Sequence, residues 1–205
     1  MVKRAPSQRQ QALDSMRRAA LRCRACPLWA NATQTVFGAG AAAARFLFIG
    51  EQAGDQEDRR GEPFVGPAGK LLDQALADVG IDRAAIYLTN VIKHFKFELR
   101  GKRRLHKRAN AAEVSACMRW LEGELELVRA PYVICLGALA ARVVLGADFS
   151  LQRMRGRWIA LDRRRHALAT VHPAFVLRSR IGGDHAATYA AFVADLRQLL
   201  HAPEN

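Results

Sequence analysis

Four cysteines are all this chain has, and they are spaced as two local and two distant thiols. Cys23 and Cys26 lie in Arg22-Cys23-Arg24-Ala25-Cys26-Pro27. Cys117 falls in a predicted helix and Cys135 in a predicted strand. Such a pattern is how a chain wraps a tetrahedral thiolate site, and spacing alone leaves zinc and an iron–sulfur cluster both open. Two other readings stand beside it. An even count is compatible with disulfides, and Cys135 within Tyr132-Val133-Ile134-Cys135-Leu136 suits a plain buried core thiol. Met1-Val2-Lys3-Arg4-Ala5 leads to no apolar segment of the secretory kind, so a cytoplasmic location is expected, where disulfides are rare.

The charge balance narrows the partners. There are 32 Lys and Arg against 19 Asp and Glu, a formal net charge of +13. An excess of this size suits a polyanion, most simply nucleic acid, although a general arginine bias would also produce it. The cations cluster in Arg100, Lys102, Arg103, Arg104, Lys107 and Arg108, again in Arg163-Arg164-Arg165, and in Arg178 and Arg180. Each that neutralises a phosphate releases a counterion, so binding should weaken with salt. A solvated loop is the ordinary explanation of any one such run. No apolar run approaches the roughly 20 residues that a membrane span needs.

Hydrophobic patterning alternates strand and helix. Arg45 to Gly50, Ala85 to Asn90, Pro131 to Leu136 and Ala167 to Val171 read as four buried strands. Between and after them come helices over Pro67 to Val79, from the capping pair Asn110 and Glu113 to about Leu127, after Gly137, and over Thr188 to Leu200. The pattern predicts one α/β domain over residues 1–205, a three-layer sandwich with a central, mainly parallel four-stranded sheet. Residues 1–15 and 202–205 are expected to be loosely tethered. Ligands of such sheets bind outside the carboxyl ends of the strands. The polar residues gather there: Gly50-Glu51-Gln52-Ala53-Gly54-Asp55 after the first strand, Asn90 ending the second, and His172-Pro173 after the last.

These residues resemble a known family. Gly50 to Asp58, with Gly61-Glu62-Pro63-Phe64-Val65-Gly66-Pro67-Ala68-Gly69, is similar to the first motif of the iron–sulfur (family 4-like) uracil-DNA glycosylases. Tyr87-Leu88-Thr89-Asn90-Val91-Ile92-Lys93 resembles their second motif and Val171-His172-Pro173-Ala174 their third. The inserted segment Lys102-Arg103-Arg104-Leu105-His106, Gln52 after Glu51, and Lys93-His94-Phe95-Lys96-Phe97 resemble the UdgX-type branch, which excises uracil and stays covalently joined to the abasic sugar through a loop histidine. The matching residue is His106. Ala53 departs from the usual proline of the first motif, and Ala174-Phe175 from serines common after His-Pro.

The resemblance implies a uracil-DNA glycosylase with a [4Fe-4S] cluster on Cys23, Cys26, Cys117 and Cys135. It implies catalytic roles for His106, Glu51, Gln52 and His172, and uracil binding by Gly50, Gly54, Asp55, Phe64 and Asn90. Lys102, Arg103, Arg104, Lys107 and Arg178 would hold DNA, expected as single-stranded, uracil-containing DNA met by a monomer.

The residue chemistry agrees. An enzyme acting on a base must take it out of the stack into a pocket. Asn90 offers a donor and an acceptor to the uracil edge, and Phe64 a π-face. His172 and the amides of Gly50 to Gly54 can stabilise a departing uracil anion, and Glu51 a sugar cation. The cations around His106 favour a neutral, nucleophilic imidazole. Two alternatives remain: a turnover glycosylase in which His106 only contacts DNA, and an iron–sulfur DNA-binding protein without activity.

Overall fold

The computed structural model describes residues 7–181 and 183–204. Seven strands form in chain order: β1 (Phe46–Gln52), β2 (Ile86–Ile92), β3 (Phe97–Arg100), β4 (Arg103–His106), β5 (Tyr132–Leu136), β6 (Trp158–Ala160) and β7 (His166–Thr170). The main sheet runs β2-β1-β5-β7-β6. Its first four strands are parallel, as the apolar runs predict, and β6 is antiparallel to β7. The expectation of four strands is therefore corrected to five. The extra strand is a short, half-buried edge with too little apolar length to stand out in the sequence.

Helices cover both faces. They are α1 (Gln8–Ala20), α2 (Asp55–Arg60), α3 (Pro67–Asp78), α4 (Ala111–Val128), α5 (Ala138–Leu145), α6 (Leu151–Met154), α7 (Pro173–Arg178) and α8 (His185–Arg197). Alternation along the strands sorts the core into two halves. Leu47 and Ile49 of β1 and Val133 of β5 pack with Leu13 of α1, Leu121 of α4 and Ala140 of α5. Phe46, Phe48 and Ile134 pack on the other face with Leu72 of α3, Val176 of α7 and Phe192 of α8. Each fully buried large side chain contributes roughly 1.5–3 kcal/mol.

Local chemistry fixes the helix starts. The Asn110 side chain accepts from the Glu113 amide at 2.9 Å, while the Glu113 carboxylate accepts from the Asn110 amide at 2.7 Å. This reciprocal pair opens α4 where the sequence predicts it. Pro67 occupies the first turn of α3, where its missing N–H costs nothing.

Two expectations change. Residues 8–15 belong to α1, and Leu13 is wholly buried against the core. That half of the N-terminal stretch is thus anchored rather than loose, while residues 1–6 lie outside the described residues. Near the C-terminus, Tyr132 donates its hydroxyl proton to the Pro203 carbonyl at 2.7 Å, tying down the stretch expected to be loose; Asn205 lies outside the described residues. The Lys102–His106 segment, read as a loop, is part of a two-stranded antiparallel hairpin in which Phe97 pairs with His106 and Arg100 with Arg103. Its dense positive charge hides the strand pattern. Among the described residues, no helix is long and apolar enough to cross a membrane.

Candidate active site

The carboxyl ends of the parallel strands open into a cavity of about 510 Å3. Glu51 and Gln52 reach it from the end of β1, Asn90 from β2, His172 from the turn after β7, and His106 from the end of β4. Gly54, Phe64 and Arg178, also nominated by the sequence, line it as well. Segments far apart in the chain meet there because parallel strands start on one side of the sheet and finish on the other.

Phe64 and Asn90 both line the cavity beside Gly50. Gly50 pairs with Asn90 across β1 and β2. A Cβ at Gly50 would collide with Asn90 Oδ1 and the Phe64 ring, so only glycine leaves this space open. Phe64 holds φ +58°, a left-handed conformation that is costly for a bulky residue. Gly69 lies so close behind it that a Cβ would run into the Phe64 carbonyl. The Phe64 and His172 rings lie 6.0 Å apart and nearly parallel. Two buried acceptors, Asn90 Oδ1 and Gln52 Oε1, have no protein partner among the described residues. Buried polar atoms are almost always satisfied, so both await a ligand or water.

Glu57, which the sequence reading did not single out, braces this pocket. Its carboxylate accepts from the Gly66 amide at 2.7 Å and the Gly54 amide at 3.1 Å. It therefore joins the turns that begin α2 and α3. Ala68 and Ala174 also line the cavity without having been nominated, as does Arg108, one of the cations expected beside His106. Glu57 could not have been found, because an acidic residue in the first turn of a helix reads as a solvated cap.

His106 reaches the cavity because the hairpin is pinned. Gln52 Nε2 donates to the carbonyls of Lys96 at 3.2 Å and Lys107 at 3.1 Å, one on each arm. Arg104 turns inward. Its guanidinium pairs with Asp58 at 2.7 Å and with Asp55, and lies 5.4 Å and 5.0 Å from the ring centres of Phe95 and Phe97. Its side chain is 12% exposed and that of Asp58 0%. Arg104, expected to hold DNA, is engaged within the protein as an internal clamp. Asp55 likewise serves the clamp and is not among the cavity-lining residues. Desolvation works to raise the Asp55 pKa, but the bonds from Arg59 and Arg104 hold it below the usual carboxylate value. Phe95 also backs His106, ring centres 6.2 Å apart.

Both histidines favour the neutral form. Burial, with help from the charges of Arg178 and His106, pushes the His172 pKa down to about 4. His172 Nδ1 accepts from the Ala174 amide at 3.1 Å. The proton of the neutral ring therefore sits on Nε2. His106 stands exposed at the cavity mouth, yet the walls around it remove enough hydration to lower its pKa; Glu51 opposes this, and Arg178 and Arg108 add to it. Of the four cations expected to act, Arg103, Arg104, Lys107 and Arg108, only Arg108 is among the causes. Arg104 is neutralised by its aspartates, and Lys107 pairs with Glu98 at 2.8 Å on the surface. Lys102 and Arg103 are exposed at the hairpin tip, and Arg178 is exposed on the opposite rim.

The thiols divide. Burial raises the Cys117 pKa to about 11, and Lys93 N–H donates to its sulfur at 3.2 Å. The charges of Cys26 and Cys23 also bear on it, so these three thiols are neighbours. Trp120 Nε1 donates to Cys23 Sγ at 3.2 Å. Cys135 lies in mid-sheet between Ile49 and Ala169, wholly buried, and burial alone pushes its pKa up to about 12. Among the described residues, no three His, Cys, Asp or Glu side chains stand in an arrangement that could hold a metal ion.

Residues 37–197 match the model of the uracil DNA glycosylase superfamily. The chain is 34% identical to a type-4 uracil-DNA glycosylase of Thermotoga maritima over 160 residues, which is 78% of this chain and 80% of that protein. It is 34% identical to a type-4 uracil-DNA glycosylase of Archaeoglobus fulgidus over 174 residues, 82% and 84% of the two. A third relative of the same name, from Sulfurisphaera tokodaii, is 29% identical over 173 residues, covering 80% of this chain and 76% of its own.

Three measurements check this geometry. Arg104→Ala leaves the buried Asp58 carboxylate without its cation, and should lower unfolding stability by roughly 3 kcal/mol in chemical denaturation; a loss under about 1 kcal/mol would contradict the clamp. The depressed His172 pKa gives a signed pH effect. Below its ordinary value of 6.5 the unfolded chain takes up a proton that the folded ring refuses until about 4, so stability should fall as pH drops through that window. His172→Asn, which keeps a helix-capping side chain, should flatten that slope, and an unchanged slope would refute the assignment. Finally, Cys135→Ala should leave the metal content of purified protein as in the wild type, whereas a fall would return Cys135 to the ligand set.

Proposed function

The chain belongs to the uracil DNA glycosylase superfamily, and from that premise we propose that it excises uracil from DNA and then captures the abasic sugar covalently through His106. The observation that carries this reading is a neutral imidazole in the lining of the same cavity as the base-reading Asn90 and the proton-bearing Nε2 of His172.

The flipped base stacks beside Phe64, and the buried Asn90 Oδ1 accepts its N3–H. The N1–C1′ bond then breaks, and its electron pair leaves with uracil. His172 Nε2–H donates to the developing negative charge on the uracil oxygen. A neutral donor suits this task because its proton is shared with the anion without being lost. The sugar is left as an oxocarbenium ion beside the Glu51 carboxylate. A lone pair of the His106 ring attacks C1′, forming an N–C bond, and the proton of the other ring nitrogen is released to Glu51 or water. Proximity favours the imidazole over a passing water. Lys102, Arg103, Arg108 and Arg178 hold the flanking phosphates of a single DNA strand, and the protein acts as a monomer in DNA repair.

The iron–sulfur group belongs to this proposal only in part. The corner formed by Cys23, Cys26 and Cys117 is the place where it would sit, supplying a structural tie between the N-terminal segment and α4. No step of the reaction passes through it.

A denaturing gel tests the whole reading. Wild-type protein incubated with a uracil-containing single-stranded oligonucleotide should give a slow-migrating protein–DNA band, and His106→Ser should lose the band while still releasing uracil. Uracil release with no band in the wild type would mean ordinary turnover. No release at all would refute the glycosylase reading, and a band that survives in the variant would remove His106 from the capture step.

A further inference from the structure

Behind the strand that carries Asn90, a lysine and a glutamate are buried with no exposure at all. Lys93 Nζ donates to Thr89 Oγ1 at 2.6 Å, to the Asn90 carbonyl at 2.7 Å, and to the Glu124 carboxylate, which uses all three ammonium protons. Glu124 is equally engaged. One carboxylate oxygen accepts from the Gly38 amide at 2.9 Å and the Tyr87 hydroxyl at 3.0 Å, and the other from the Thr89 hydroxyl at 2.8 Å as well as from Lys93.

The arrangement straddles β2. Leu88 packs in the half of the core that holds Phe64, while Tyr87 and Val91 pack in the half that holds α4. Strand alternation thus puts the Asn90 side chain at the cavity and Glu124 on the far side of the sheet. Lys93 links the two by holding the main chain of Asn90 itself. Lys93 is also fixed through its own backbone, its N–H donating to Cys117 and its carbonyl accepting from Val36 at 2.7 Å.

A buried ion pair contributes little net stability compared with apolar residues of the same shape, because desolvation offsets the attraction. Its benefit here lies in direction. Hydrogen bonds weaken steeply as alignment is lost, and Asn90 must meet the edge of a planar base with an amide whose Oδ1 has no protein partner to steady it. Resting on the uracil-excising reading above, we propose that Lys93, held by Glu124, is a positioning residue for base recognition: its grip on the Asn90 carbonyl sets the angle at which the Asn90 amide meets uracil. It touches neither the base nor the sugar.

The test compares two ligands. Lys93→Met/Glu124→Gln removes both charges and the donor to the Asn90 carbonyl, yet leaves an amide to serve Gly38, Tyr87 and Thr89. Calorimetry on the full chain should show free uracil binding about tenfold more weakly than in the wild type, the effect of one misaligned hydrogen bond to a buried group. Binding of an oligonucleotide with a tetrahydrofuran abasic-site analogue, which has no base to read, should be unchanged. Uracil affinity equal to wild type would overturn the proposal, and so would parallel loss of both ligands, which marks a general loss of fold. If the double variant does not fold, Thr89→Val decides: loss of the hydroxyl between Lys93 and Glu124 should weaken uracil binding about threefold, and no weakening overturns the proposal. Wild-type protein that binds the abasic analogue but not uracil would instead sink the functional reading, and this inference with it.

Discussion

One guanidinium ties the hairpin that carries His106 to the helix that follows the cavity's first strand. The hairpin that carries His106 lies outside the main sheet and pairs only with itself. It also carries Arg100, Lys102, Arg103 and Lys107, whose mutual repulsion works against a fixed position. Arg104 counters this by turning inward, between Phe95 and Phe97 and onto Asp55 and Asp58. Asp55 and Asp58 lie on α2, which starts directly after Gly54, two residues beyond the end of β1. The helix that begins at the cavity is thus the helix that seats the hairpin, and Arg104 together with the Gln52 amide holds the imidazole at the cavity.

The same economy governs protonation. His172 and His106 are both held below their ordinary pKa, chiefly by loss of hydration. His172 is further fixed by the Ala174 amide, which forces its proton onto Nε2. In the proposed reaction one neutral ring is the donor and the other the nucleophile. Glu51 lies close enough to His106 to influence its charge, so the proposal places the carboxylate that would steady the sugar cation near the ring that would capture it. Glu57, by joining Gly54 to Gly66, keeps the walls of the base pocket in register with these groups.

Much of this was legible in the sequence, and the remainder was hidden for physical reasons. The four parallel strands show as apolar runs because both faces are covered. The polar residues at their ends, Glu51, Gln52, Asn90 and His172, converge as strand polarity requires. Asn110 and Glu113 announce α4 by their chemistry. Arg104 misled because a cation in a cationic run reads as solvent-facing, and its aspartates are remote in the chain. Spacing cannot tell whether Cys135 is a ligand or a core thiol, because its neighbours Ile49 and Ala169 come from other strands. Lys93 and Glu124 are a pair only once β2 and α4 are packed.

Covalent capture at His106 is the central claim, and mass spectrometry of the digested adduct tests it most directly. Protein incubated with a uracil-containing strand, then cut with nuclease and protease, should yield the peptide containing His106 carrying the mass of the abasic sugar phosphate, with fragment ions that assign it to the imidazole. An unmodified His106 peptide, or the sugar found on Glu51 or any other residue, would contradict the account.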